Sequence, residues 1–205
     1  MGVKETKVKN FLHVIGCLHR LDLVVDELST IYKRRKGKEY HFVSQHTFKI
    51  YHMGLMYVFI CEYCKLLEGD NNKKDENWGS LTKLNEKIRK VHQDYKHYEL
   101  VKSKIDTLQQ STFHLKNIRK IRDSTFAHLD KKGEPFTVTA FEDDEFKTAK
   151  EHVAEMIEIL NLCGQVYNTD YDVKIRNNFT EKFINEYAKF YETPEEMLNS
   201  FLGKN

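Results

Sequence analysis

Breakers are scarce in this chain. Its 205 residues hold two prolines and nine glycines, too few to punctuate a sheet protein with tight turns, so long uninterrupted helices are expected. Charge of one sign is also missing. Thirty-three basic residues stand against 31 acidic ones, a formal net charge of +2, which excludes a protein held to nucleic acid by its overall field. No apolar run is long. The most apolar, Gly54 to Cys61, falls far short of the roughly 20 residues that span a bilayer, and no secretory signal opens the chain. A cytoplasmic protein with reduced cysteines and no membrane association is expected.

Catalytic signatures are absent too. The chain carries no GxSxG, no GxxxxGK[ST], no HExxH and no GxGxxG, which removes the common hydrolase, phosphate-cradling, zinc-protease and dinucleotide patterns. Cys61 and Cys64 form a CxxC. No second CxxC or close His pair follows to complete four zinc ligands, and the pair reads as two small hydrophobes on a buried helix face. Met1-Gly2-Val3-Lys4-Glu5-Thr6 fits the short myristoylation pattern, to which little weight attaches.

What remains is helical periodicity. Val8, Phe11, Leu12, Ile15, Leu18, Leu21, Val25, Leu28, Ile31 and Tyr32 recur in steps of three and four, predicting an amphipathic helix over residues 5–34 that ends before Gly37. A second long helix is expected over 39–68, and 69–79 reads as a loop. Ser80 is placed to cap a helix through Val91. From Tyr98 a helix runs to His128, with an interruption at Gln110–Thr112. Phe136–Phe141 alternates like a short extended segment. Helix returns over 143–168, with Phe146, Ala149, Val153, Met156, Ile157, Leu160 and Cys163 inward. Thr193-Pro-Glu-Glu196 begins a last turn or two. The fold class expected is all-α, an up-and-down bundle of four to five long helices with short extra C-terminal helices. Residues 1–170 form the bundle, and 171–205 form an extension packed on the same domain.

The chemistry-bearing stretch is Ile118-Arg-Lys-Ile-Arg-Asp-Ser-Thr-Phe-Ala-His-Leu-Asp130. An arginine fork suits phosphate oxygens, and a histidine moves protons near neutral pH. Together they are the minimum equipment for cleaving RNA without metal: the 2′-hydroxyl attacks phosphorus, imidazole handles a proton, and guanidinium meets the developing charge.

Arg122-Asp123-Ser-Thr-Phe-Ala-His128 resembles the signature of the HEPN superfamily: Arg, then Asn, Asp or His, then four residues, then His. The continuation Ala127–Lys131 is similar to HEPN members among bacterial abortive-infection proteins, and the resemblance extends over roughly residues 5–170. It implies a metal-independent endoribonuclease without a cofactor, a toxin or antiviral effector working as a homodimer with both motifs in one cleft. An antitoxin protein could accompany it. Carried over by position, Arg122 contacts the scissile phosphate, Asp123 positions the site and His128 is the general acid or base. Arg119, Lys120 and Lys131 are the accompanying RNA-binding residues. A subgroup of HEPN toxins carries Tyr two places after the His, where an antitoxin transfers AMP; Asp130 stands there instead, which puts that control in doubt.

Spacing bears on the mechanism. Six residues of ideal helix give a rise of about 9 Å and a turn of about 240°, so Arg122 and His128 meet on one phosphate only if the helix bends or ends, the arginine reaches round, or a second chain completes the site. Plainer readings stay open: Arg122 pairing with a carboxylate on a neighbouring helix, His128 buried in the stripe of Ile118, Ile121 and Thr125, Arg119 merely solvated. Two other functions also remain, a non-catalytic HEPN module binding RNA or a partner protein, and a helical scaffold with no nucleic-acid role.

Overall fold

The structure is a computed structural model. It describes residues 2–33, 35–68, 80–126, 141, 143–167 and 179–202, with 2–10, 124–126, 143 and 179 in backbone only. Among these residues there is no strand; the fold is an all-α bundle. No helix of the described residues is long and apolar enough to cross a membrane.

Helix α1 (Gly2–Tyr32) runs against α3 (His46–Leu67) and α7 (Asp143–Gly164), and these three make the centre of the bundle. Val14, Cys17, Leu18, Leu21, Val25 and Leu28 of α1 are buried, as the repeat of three and four requires. From α3 come Met56, Phe59, Ile60, Tyr63, Leu66 and Leu67, and from α7 Ala149, Val153, Met156, Ile159, Leu160 and Cys163. Leu12, expected on the apolar side of α1, is exposed. Two shorter helices, α4 (Leu81–Val91) and α5 (Tyr98–Gln110), pack on each other and on α7. Their joint is fixed by Asn85, whose amide donates to the Tyr98 carbonyl at 3.0 Å. Ser80 does occupy the capping position of α4, but its side chain caps nothing.

The single helix expected over 39–68 is two. A short α2 (Gly37–Val43) ends at Ser44, whose hydroxyl donates to the Tyr40 carbonyl at 2.7 Å. Gln45 is extended, and α3 starts afresh at His46. A serine that hydrogen-bonds its own preceding turn competes with helix continuation, and here the competition wins. Gly37, read as the stop of α1, opens α2 with a φ of 58°, a left-handed conformation that glycine adopts without a side-chain penalty.

The C-terminal segments attach at the far end of α1. Arg35, almost fully buried, bonds Glu39 at 3.0 Å, Glu181 of α8 (Phe179–Tyr187) at 2.7 Å and the Thr30 carbonyl at 3.1 Å. Glu27 accepts from the Thr180 backbone N–H at 3.2 Å. Phe183 packs its ring against Phe42 and Phe48, and Ile184 is buried. The last helix, α9 (Pro194–Phe201), begins with the expected capping box of Thr193 and Glu196 with Pro194 in its first turn. It lies on the surface with Phe201 and Leu198 exposed.

Candidate functional site

The expected interruption after Gln110 is present and has a visible cause. Ser111 leaves the helix (φ −62°, ψ 146°); its hydroxyl donates to the Leu108 carbonyl at 2.8 Å and accepts the His114 backbone N–H at 3.1 Å. One polar side chain thus closes α5 and opens the next helical turn. That segment, Phe113–Ile118, is a π-helical turn, wider than α-helix, in which the Arg119 N–H reaches back five residues to the His114 carbonyl. The chain then tightens into α6 (Arg119–Phe126). π-turns are rare and often sit at functional places; this one directly precedes the cationic motif.

α6 rests on α3 near the end of that helix. Gln109 donates to the Leu67 carbonyl, and the Arg122 Nη1 bonds Glu68, the residue that ends α3. The other side of the same guanidinium is held by Asp123, whose Oδ1 lies 2.9 Å from Nε and 2.8 Å from Nη2. Arg122 is therefore half-buried and bound by two carboxylates, with its side chain 28% exposed. That answers one open question of the sequence: Arg122 does pair across helices. Glu68 carried no signal of this, because nothing in its neighbourhood marks it as more than the polar end of an apolar helix.

Lys116, Arg119, Lys120 and Asp123 are exposed along the same segment. Among the described residues no ion pair is made by Lys116, Arg119 or Lys120, whereas Lys104 nearby in sequence is taken by Glu155 and Glu158. Three such cations beside a fork fixed by Asp123 can accept an anionic polymer at its phosphates. His128 and Lys131 lie outside the described residues, and so does the expected extended segment except for Phe141. Phe141 is non-helical and buried, its ring 5.5 Å from Phe59 and 5.7 Å from Phe113.

Cys17 and Cys64 are inert by environment. Cys64 is buried behind Arg122, and burial pushes its thiol up to about 11; Cys17 is likewise pushed up to about 11 by burial. Neither supplies a thiolate near neutral pH. Cys61, expected to be as buried as Cys64, is only half-buried. Among the described residues no cluster of His, Cys, Asp or Glu is arranged to hold a metal ion.

His114 is a core residue. Its ring is 3% exposed, 5.8 Å from that of Tyr63. The Tyr63 hydroxyl in turn shares a hydrogen bond with His152 Nδ1 of α7.

Fold and site together define an all-helical bundle with a cationic face on one short helix that follows a π-turn. Comparison with protein-family models, with curated proteins and with solved structures finds no match.

Proposed function

We propose that this chain is a metal-independent endoribonuclease of the HEPN type, acting in the cytoplasm as a toxin or antiviral abortive-infection effector. In this reading RNA lies along Lys116, Arg119 and Lys120 and continues towards Lys131. Arg122 meets the scissile phosphate, and Asp123 holds its fork in place. His128 moves the proton as the 2′-hydroxyl attacks. Two subunits bring their motifs into one cleft, because six residues of helix separate Arg122 and His128 by too great a turn for one straight segment to serve one phosphate. An antitoxin protein is the partner this class of activity calls for.

The observation that carries the reading is the pairing of Arg122 with its own neighbour Asp123 (2.8 Å) beside three exposed cations that are unpaired among the described residues. The Arg-Asp pair begins the sequence motif, and a carboxylate bound to the Nε and Nη2 edge of the fork orients the guanidinium while leaving Nη1 to exchange Glu68 for a phosphate. The experiment is cleavage of single-stranded RNA in EDTA by the wild-type chain and by the Arg122→Ala, His128→Ala and double variants. Wild-type protein is expected to leave 2′,3′-cyclic phosphate ends, and each single variant to lose cleavage by at least about a hundredfold. Cleavage by the double variant at the wild-type rate contradicts the assignment.

A second reading is favoured by the other half of the same geometry. Glu68 already occupies Arg122. If that ion pair is permanent, the segment is a non-catalytic module that binds RNA or a partner protein. RNA binding with steep salt dependence and no cleavage decides for it.

A further inference from the structure

His114 sits where a proton is costly. Its ring is in the core between α3 and α7, and Nδ1 meets no hydrogen-bond partner among the described residues. From α3 it faces the Tyr63 phenol, and from α7 His152, whose Nδ1 is engaged by that phenol. From its own continuation it faces the Arg119 guanidinium. Every charge that bears on it, Arg119 and a protonated His152, is positive. The nearby carboxylates of α7 are committed elsewhere: Glu145 accepts from the Asn117 amide, and Glu155 pairs with Lys104 at 2.7 Å while bearing, with Glu151, on His152. The same ring is the second residue of the π-turn, and its carbonyl anchors the first N–H of α6.

We propose that His114 is an acid-triggered release for the segment carrying Arg119 and Arg122. Once protonated, the ring leaves the core and the π-turn and α6 separate from α3 and α7. Burial, then the repulsion of Arg119 and His152, lowers the ring's affinity for a proton from the ordinary 6.5 to about 4. In the released segment the ring regains its ordinary value. The packed state therefore binds fewer protons than the released one between those limits. Packing is fully favoured above pH 6.5 and weakens as pH falls, the released population rising towards about tenfold per pH unit. The release depends on packing alone and stands whether or not Arg122 cleaves RNA.

Amide hydrogen exchange on the full chain, corrected for the intrinsic pH dependence, tests it without any RNA. Between pH 6.5 and 5.5 exchange at residues 113–123 is expected to accelerate about fivefold relative to the amides of α4 and the centre of α1. His114→Phe, which keeps the ring and removes the titration, abolishes that acceleration; His114→Gln serves the same purpose if phenylalanine does not fold. His152→Phe leaves it in place. The proposal is overturned by unchanged protection at 113–123 in wild type, by acceleration that survives both His114 variants, or by one that disappears with His152→Phe instead.

Discussion

The middle and the C-terminal end of α3 are held by different means. Along its middle, Met56, Phe59, Ile60 and Tyr63 lie in an apolar core shared with α1 and α7, into which polar contacts are set: Arg20 bonds Glu62 at 3.1 and 3.2 Å, and the Tyr63 hydroxyl shares a hydrogen bond with His152. At its C-terminal end, beside the buried Leu66 and Leu67, polar contacts to the α5–α6 segment are added: Gln109 on the Leu67 carbonyl and Arg122 on Glu68. Apolar burial is non-directional and additive, so the middle supplies stability. Polar contacts at a half-exposed edge are each weak, exchangeable with water or with another anion, and directional. The bundle's middle is closed and apolar, whereas the α6 edge is polar and half exposed.

Three variants sharpen that contrast. Phe59→Ala empties a fully buried position and is expected to cost about 3–5 kcal/mol, seen as a large fall in the denaturant midpoint at unchanged slope. Arg20→Ala leaves Glu62 with Cys17 and with Lys65, the latter at 3.6 Å. Because the Arg20 side chain is half exposed, the expected cost is about 1 kcal/mol. The loss has a pH signature. Burial alone would raise the Glu62 carboxyl; Arg20, Cys17 and Lys65 together hold it below its ordinary 4.5. Its contribution is present above pH 4.5 and fades as pH falls below that. The Arg20→Ala variant should therefore converge with wild type in urea melts at low pH. The smallest effect on stability belongs to Arg119→Ala combined with Lys120→Ala, which should leave the melting curve in place. The same pair should weaken RNA binding and lower its salt slope by about one for each cation removed. A melting temperature that falls steeply in this variant would erase the distinction between edge and core.

Much of the helical architecture was legible because burial imposes a period. The stripe from Leu18 to Leu28 and that from Phe146 to Cys163 repeat every three or four residues, and both are buried as read except Ile157, which is half-buried. The capping box at Thr193 and the break after Gln110 were legible for the same local reason: short polar side chains hydrogen-bond the backbone within a few residues. The split at Ser44–Gln45 shows the limit, since Ser44 competes with the helix through a bond that composition does not mark. At the site, Arg122 and Asp123 were identified from the motif, and the exposure of Arg119 and Lys120 agrees with a surface role. Glu68 was not foreseen. Its pairing with Arg122 spans 54 positions and exists only because α6 settles on the end of α3, a tertiary fact that no local pattern encodes. His128 and Lys131 rest on the motif alone, since both lie outside the described residues.

Arg122 is the residue on which the edge and the proposed chemistry meet, so one variant carries the decisive comparison. Thermal melting and RNA cleavage in EDTA are measured side by side for wild type and Arg122→Ala. If the edge exchanges partners and the arginine serves the phosphate, the melting temperature drops by no more than about 2–4 °C, the scale of one half-exposed ion pair in a chain of this size, while cleavage is lost. A collapse of stability with cleavage lost only in proportion, or cleavage that continues at the wild-type rate, contradicts that division of roles.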